Sequence, residues 1–130
     1  MKTIQFCQDG DYLASLVGDK SPLSNRVGFI LKQDSDTAGV ITFDFLNYIL
    51  WVPHITILKP HRGDDSFIWG KLAIEYMNKH FGAKKFLALT PYLAAKKYAE
   101  KVGFKQIAIL SQSIMQDDKL LDQYMMEKTI

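Results

Sequence analysis

The apolar side chains change their spacing between residues 47 and 81, from a pattern typical of a strand to one typical of a helix. Residues 47–59 form a run dense in Ile, Leu, Trp and Val, whose length suits a strand buried on both faces. In Phe67–Phe81 the apolar positions recur three and four residues apart, and Gly82 follows as a stop signal. A buried strand that leads into an amphipathic helix predicts helices packed on a sheet.

The flanking segments supply further strands and two more helices. A helix is predicted within residues 9–18, where Asp9 is an available N-cap, and another from Pro91 to Val102, where Thr90 is the N-cap and Gly103 the stop. Runs rich in strand-forming residues lie at 27–32, 38–45, 85–89, 104–110 and 123–128. The predicted fold class is α+β, with a mixed, mostly antiparallel sheet, a hairpin through residues 33–37 and flanking helices. Pro53 predicts a bulge or a locally open edge in the long strand, because it donates no ladder hydrogen bond.

Composition limits the classes of function. The chain has 130 residues, so we expect a single domain over 1–130, and its net charge of +2 gives no indication of a nucleic-acid partner. No apolar stretch reaches the roughly 18 residues of a membrane helix, and the first residues do not read as a signal peptide. We therefore expect a cytoplasmic protein with no membrane partner. The single Cys7 is interpreted as a small hydrophobic residue of a strand, and three scattered histidines predict no metal site.

Two short motifs stand about forty residues apart in the second half of the chain. Residues 58–63 read Leu-Lys-Pro-His-Arg-Gly and close the long strand, whereas residues 95–104 read Ala-Lys-Lys-Tyr-Ala-Glu-Lys-Val-Gly-Phe and end the last helix. Their order and spacing resemble the GNAT N-acetyltransferase superfamily over residues 27–130. Residues 122–128, Asp-Gln-Tyr-Met-Met-Glu-Lys, are similar to an ending common in that family. The resemblance implies acetyl-CoA as cofactor and an amine acceptor, with the cofactor in a gap between the fourth and fifth strands. We expect this gap to open after about Ile57.

The resemblance also implies site residues. The main chain of Ile57 and Leu58 would steer the pantetheine arm, and Arg62 and Gly63 would lie near the phosphates, with Lys59 and Lys71 as helpers. His54 stands where family members often carry a glutamate that deprotonates the acceptor. An imidazole suits that task at neutral pH, so His54 is the candidate general base. The alternative is a structural histidine bonded to backbone beside Pro53, and the sequence leaves both interpretations open.

Two departures weaken the resemblance. Asp65 and Phe67 replace glycines of the phosphate loop, unless an insertion brings Gly70 into use, and two carboxylates at a helix start repel a pyrophosphate. The simpler interpretation is that Asp64, Asp65 or Ser66 caps the helix.

The second departure concerns the family tyrosine that protonates the departing thiolate. Counting back from Gly103 puts Ala99 at its position, and Tyr98 is turned about 100° away, which favours a packing role.

Two hypotheses remain. The first is a GNAT-type N-acetyltransferase. The second is a catalytically degenerate binding or assembly protein of the same fold. The compact chain also resembles small GNAT-like proteins encoded by phages, which suggests a phage origin. No hydrolase or nucleotide-triphosphatase motif is present.

Overall fold

A computed structural model describes residues 1–18 and 26–130, which form seven strands and three α-helices. The strands are β1 (Lys2–Cys7), β2 (Arg26–Gln33), β3 (Asp36–Phe45), β4 (Leu50–Ile57), β5 (Lys85–Thr90), β6 (Lys105–Gln116) and β7 (Lys119–Thr129). The helices are α1 (Gly10–Val17), α2 (Phe67–Phe81) and α3 (Leu93–Val102). All seven strands join one sheet in the order β1-β2-β3-β4-β5-β7-β6. This confirms the predicted mixed, mostly antiparallel sheet with flanking helices.

Helix ends agree closely with the sequence signals. Asp9 caps α1 by accepting a hydrogen bond from the Tyr12 N–H, and Gly18, Gly82 and Gly103 all take the left-handed conformation at helix C-termini. The start of α3 differs from the prediction. The helix begins at Leu93 instead of Pro91 and its N-cap is Tyr92, because β5 extends through Thr90, whose hydroxyl accepts from the Tyr92 N–H.

The last two strands are longer than predicted. The sequence placed a polar connection after residue 110, yet β6 and β7 continue to a tight turn at Asp117 and Asp118, both of which have positive φ. The pairing shifts register between Leu110 and Ile114, where Gln112 donates its N–H to the Asp122 carboxylate. This irregularity hides the strand period, since three residues lie outside the regular ladder.

The two faces of the sheet carry different helices. α2 and α3 cover one face, where a core of buried side chains includes Trp69, Met77 and Phe86. α1 covers the other face over β2 and β3, with Leu13 packed on Ile30 and Val40. Among the described residues, no helix combines the length and the apolar character needed to cross a membrane.

β4 and β5 form the one parallel pair of the described sheet, and they stay together only briefly. Leu50 pairs with Lys85 and Trp51 with Phe86, after which the strands separate. The gap therefore opens after Trp51, earlier than the expected position near Ile57. On its other side β4 keeps an unbroken register with β3 from Trp51 to Ile57, so the predicted effect of Pro53 is an open edge and not a bulge.

Candidate active site

The separation of β4 and β5 creates a cleft of about 450 Å³. Residues of both strands and of the start and inner face of α3 line it. They include Pro53, His54, Ile55, Thr56, Ala88, Leu89, Thr90, Tyr92, Ala95, Tyr98 and Ala99. Most of these side chains are apolar, so the cleft suits a slender ligand with few charges along its length.

The direction of the backbone groups in β4 follows from two hydrogen bonds at its ends. Ile49 accepts from the Lys85 N–H on the β5 side, whereas Leu58 donates its N–H to Ala38 on the β3 side. Because backbone groups alternate along a strand, the odd-numbered residues Pro53, Ile55 and Ile57 direct their main chain into the gap. Pro53 has no N–H to offer, which is why the strand can lose its partner here at little cost.

Of the four predicted cofactor contacts, Ile57 ends β4, Leu58 directly follows it, and Arg62 and Gly63 lie in the loop beyond. The Ile57 carbonyl faces the gap and accepts a hydrogen bond of 2.8 Å from the Arg62 Nε. Leu58 donates its N–H to Ala38 and so faces β3 and not the gap. Ile55 faces the gap with both its N–H and its carbonyl, and it therefore offers a ligand one backbone donor and one acceptor. The sequence missed Ile55, because the direction of the main chain depends on the pairing register.

The loop between β4 and α2 differs from the expected phosphate loop. A short 3₁₀ turn over Lys59–His61 leads to Arg62 and to Gly63, whose carbonyl accepts from the Ser66 N–H. Ser66 occupies the N-cap position, but no side chain makes a capping hydrogen bond, so the expected cap is wrong. Asp65 instead accepts from the Lys2 Nζ at 3.0 Å, and this bond lowers the pKa of the Asp65 carboxyl.

Gly70 packs helices together and does not extend the phosphate loop. It is buried in the first turns of α2, and a Cβ there would come within 2.7 Å of a Val102 methyl and 3.0 Å of the Tyr98 hydroxyl. Only a residue without a side chain lets α3 approach this closely. The insertion that would bring Gly70 into a phosphate site therefore has no support in the structure.

Tyr98 packs between α3 and the start of α2, as predicted from its position in the motif. Its hydroxyl donates to the Ser66 carbonyl at 3.0 Å. Burial raises the pKa of the Tyr98 hydroxyl well above its ordinary value, and the Gly70 backbone opposes that shift. Although Tyr98 lines the cleft, its proton is held by backbone at neutral pH.

His54 lies at the edge of the cleft with a partner that the sequence did not reveal. Its Nε2 stands 2.9 Å from an Asp44 carboxylate oxygen on the neighbouring strand β3, and both side chains are partly exposed, at 49% and 32%. Asp44 becomes a candidate only once the register of β3 and β4 is known. The short connection of residues 46–49 indicates that the two strands are neighbours, but it does not say which residues face each other.

The remaining candidates lie at the surface. Lys59 is exposed, and the Lys71 Nζ sits 5.1 Å from the centre of the Phe67 ring, where it makes a cation–π contact. Within residues 1–18 and 26–130 no group of three or more potential metal ligands comes together.

Comparison with known proteins shows what the fold resembles. No family profile matches the chain, and no curated protein sequence matches it either. Solved structures match closely. A spermidine/spermine N-acetyltransferase, SpeG from Vibrio cholerae, in mutant forms, superposes with a TM-score of 0.85 at 14% identity over 99% of this chain and 95% of that one. The same bacterium's spermidine N-acetyltransferase in complex with CoA and spermine gives 0.79 at 14% identity, over 98% and 95%. The chain therefore has the GNAT N-acetyltransferase fold.

Proposed function

We propose that this chain is an N-acetyltransferase that moves an acetyl group from acetyl-CoA to an amine. The observation that carries the proposal is the cleft between β4 and β5, with His54 at its edge. When bound, acetyl-CoA would supply a thioester whose carbon–sulfur bond breaks as the amine nitrogen forms the new amide, with the thiolate protonated by water.

The residues of the gap fit the pantetheine arm of such a cofactor. The lining is narrow and mainly apolar, and Ile55 offers one backbone donor and one acceptor to an amide-containing chain. The carbonyl of Ile57 is engaged by Arg62. In the proposal, Arg62 and Gly63 lie nearest the phosphates, and the Ile57 and Leu58 segment directs the arm toward them.

The proposed role of His54 is to remove a proton from the incoming ammonium group. A neutral imidazole at the edge of the cleft can accept that proton and return it to solvent after each turnover. The cleft lining beside His54 is mainly apolar, whereas the exposed side of His54 remains open to an acceptor.

The proposed acceptor is an amine. Solved structures of the same fold belong to enzymes named for spermidine and spermine, so polyamines are the first acceptors to test. Small primary amines and a lysine-containing peptide complete the panel. A cytoplasmic location remains part of the proposal.

A second candidate function has its own observation. The loop before α2 and the first residue of the helix lack glycines at positions 65 and 67, and Lys2 bonds Asp65 where a pyrophosphate loop would be open. We keep a non-enzymatic binding or assembly role on this fold as the alternative.

Titration calorimetry and turnover together test the proposal. We expect acetyl-CoA and CoA to bind weakly and saturably, and at least one amine of the panel to be acetylated. His54→Ala should lower turnover about 10²- to 10⁴-fold with little change in cofactor affinity. His80→Ala, at an exposed position of α2, is the matched control and should keep full activity. No heat on addition of either ligand, or full activity of the His54 variant, would overturn the assignment.

A further inference from the structure

We propose that Asp44 is a positioning residue for His54, which fixes the ring so that Nδ1 is the atom that accepts the acceptor's proton. This inference rests on the proposed function and adds to it the identity of the reacting nitrogen. It also gives a role to a carboxylate that neither the motifs nor the resemblance indicated.

The geometry defines which nitrogen is engaged. The Asp44 Oδ2 lies 2.9 Å from His54 Nε2, within ordinary hydrogen-bond distance. At neutral pH a carboxylate can only accept, so Nε2 must be the nitrogen that carries the proton. In the neutral ring Nδ1 is then unprotonated and is free to act as a base.

The fold brings the pair together on one face of the sheet. Thr42 pairs with His54 and Asp44 with Val52 across β3 and β4, so Asp44 and His54 are diagonal neighbours. Even-numbered residues of both strands share the face that carries α1, since Val40 packs there against Leu13. The paired strands thus place the carboxylate beside the ring.

The bond to Asp44 matters for the orientation of His54 because the histidine side chain is partly exposed. A histidine side chain that is 49% exposed would otherwise sample several ring orientations, and each wrong orientation removes the base from its substrate. The proton from the ammonium group moves to Nδ1 and forms an imidazolium, whose Nε2–H stays on Asp44. The carboxylate stabilises that cation until Nδ1 releases its proton to water.

Nitrogen NMR of the ring tests the orientation without any cofactor. In the ligand-free protein labelled at histidine, His54→Gln identifies the His54 signals among those of the three histidines. At a pH where the ring is neutral, we expect protonated Nε2, unprotonated Nδ1 and slow exchange of the Nε2 proton with water. Asp44→Ala should speed that exchange at least about tenfold, whereas Asp36→Asn, an exposed aspartate of the same strand, should leave it unchanged. Identical ring spectra in the native protein and Asp44→Ala would overturn the inference.

Turnover gives the second readout. We expect Asp44→Ala to lower kcat about tenfold or more with the KM for acetyl-CoA nearly unchanged. Asp44→Asn should lose less, because its amide oxygen still accepts from Nε2. Full activity of Asp44→Ala beside an inactive His54→Ala would refute the positioning role. If the native protein acetylates no amine, the proposed function fails, and the ring spectra decide separately whether Asp44 orients His54.

Discussion

At the scale of single residues, Tyr98 shows how position on a helix decides between catalysis and packing. Its place on α3 turns its hydroxyl toward the Ser66 carbonyl, where it joins α3 to the start of α2. A phenol with a pKa raised by burial is a poor proton donor at neutral pH. The residue is therefore best understood as a clamp between two helices.

Replacing Tyr98 by phenylalanine tests this interpretation. Loss of the hydrogen bond should lower the free energy of unfolding by about 1 kcal/mol at neutral pH, with acetyl-CoA affinity nearly unchanged. The raised pKa gives stability that is fully present below the ordinary tyrosine pKa of 10.0 and is lost as pH rises toward the folded value. Thermal melts of the native protein should therefore approach those of Tyr98→Phe above about pH 10. Tyr48→Phe, at a highly exposed site, serves as control, and loss of turnover in Tyr98→Phe at unchanged affinity would restore the acid role.

At the scale of elements, the start of α2 shows which features the sequence spacing predicts. The helix itself could be predicted from the period of its apolar residues and from Gly82. The contacts of its first turn could not be predicted, because an acidic residue before the helix has a partner distant in sequence. Lys2 from β1 bonds Asp65 and lies 4.8 Å from the Trp69 ring centre, while the Trp69 indole donates to the Lys32 carbonyl. These contacts tie the helix start to β1 and β2.

The two loop carboxylates should accordingly differ in their effect on cofactor binding. Lys2 offsets the charge of Asp65, whereas no described cation lies within bonding distance of Asp64. We expect Asp64→Asn to tighten acetyl-CoA binding about two- to fivefold at low salt, and Asp65→Asn to change it less. Calorimetry at two salt concentrations measures this, and the gain should shrink at high salt. Equal effects of the two variants would mean that the phosphates lie elsewhere.

At the scale of the whole molecule, the order of elements could be predicted and the pairing register could not. Glycine stops and changes of period located the strands and helices of the second half. The opening of the gap after Trp51, the direction of Ile55 and the Asp44–His54 contact all depend on which residues face each other across strands. Local sequence does not encode that register directly, because turns and bulges decide it.

The last prediction concerns the part of the sheet formed by β5, β7 and β6. In this part, Glu127 bonds Lys85 at 2.8 Å and lies 3.9 Å from Lys105. The Lys85 hydrogen bond lowers the pKa of Glu127, whose side chain is only 15% exposed. A lowered pKa gives stability that is present above the ordinary value of 4.5 and is lost as pH falls through the folded value.

Glu127→Gln should thus melt at a lower temperature than the native protein at pH 7. The two melting temperatures should converge as the pH falls below about 4. Glu100→Gln, on the exposed side of α3, should follow the native protein throughout. If the difference in melting temperature between the native protein and Glu127→Gln were the same at pH 3 as at pH 7, the charge of Glu127 would not stabilise this part of the sheet.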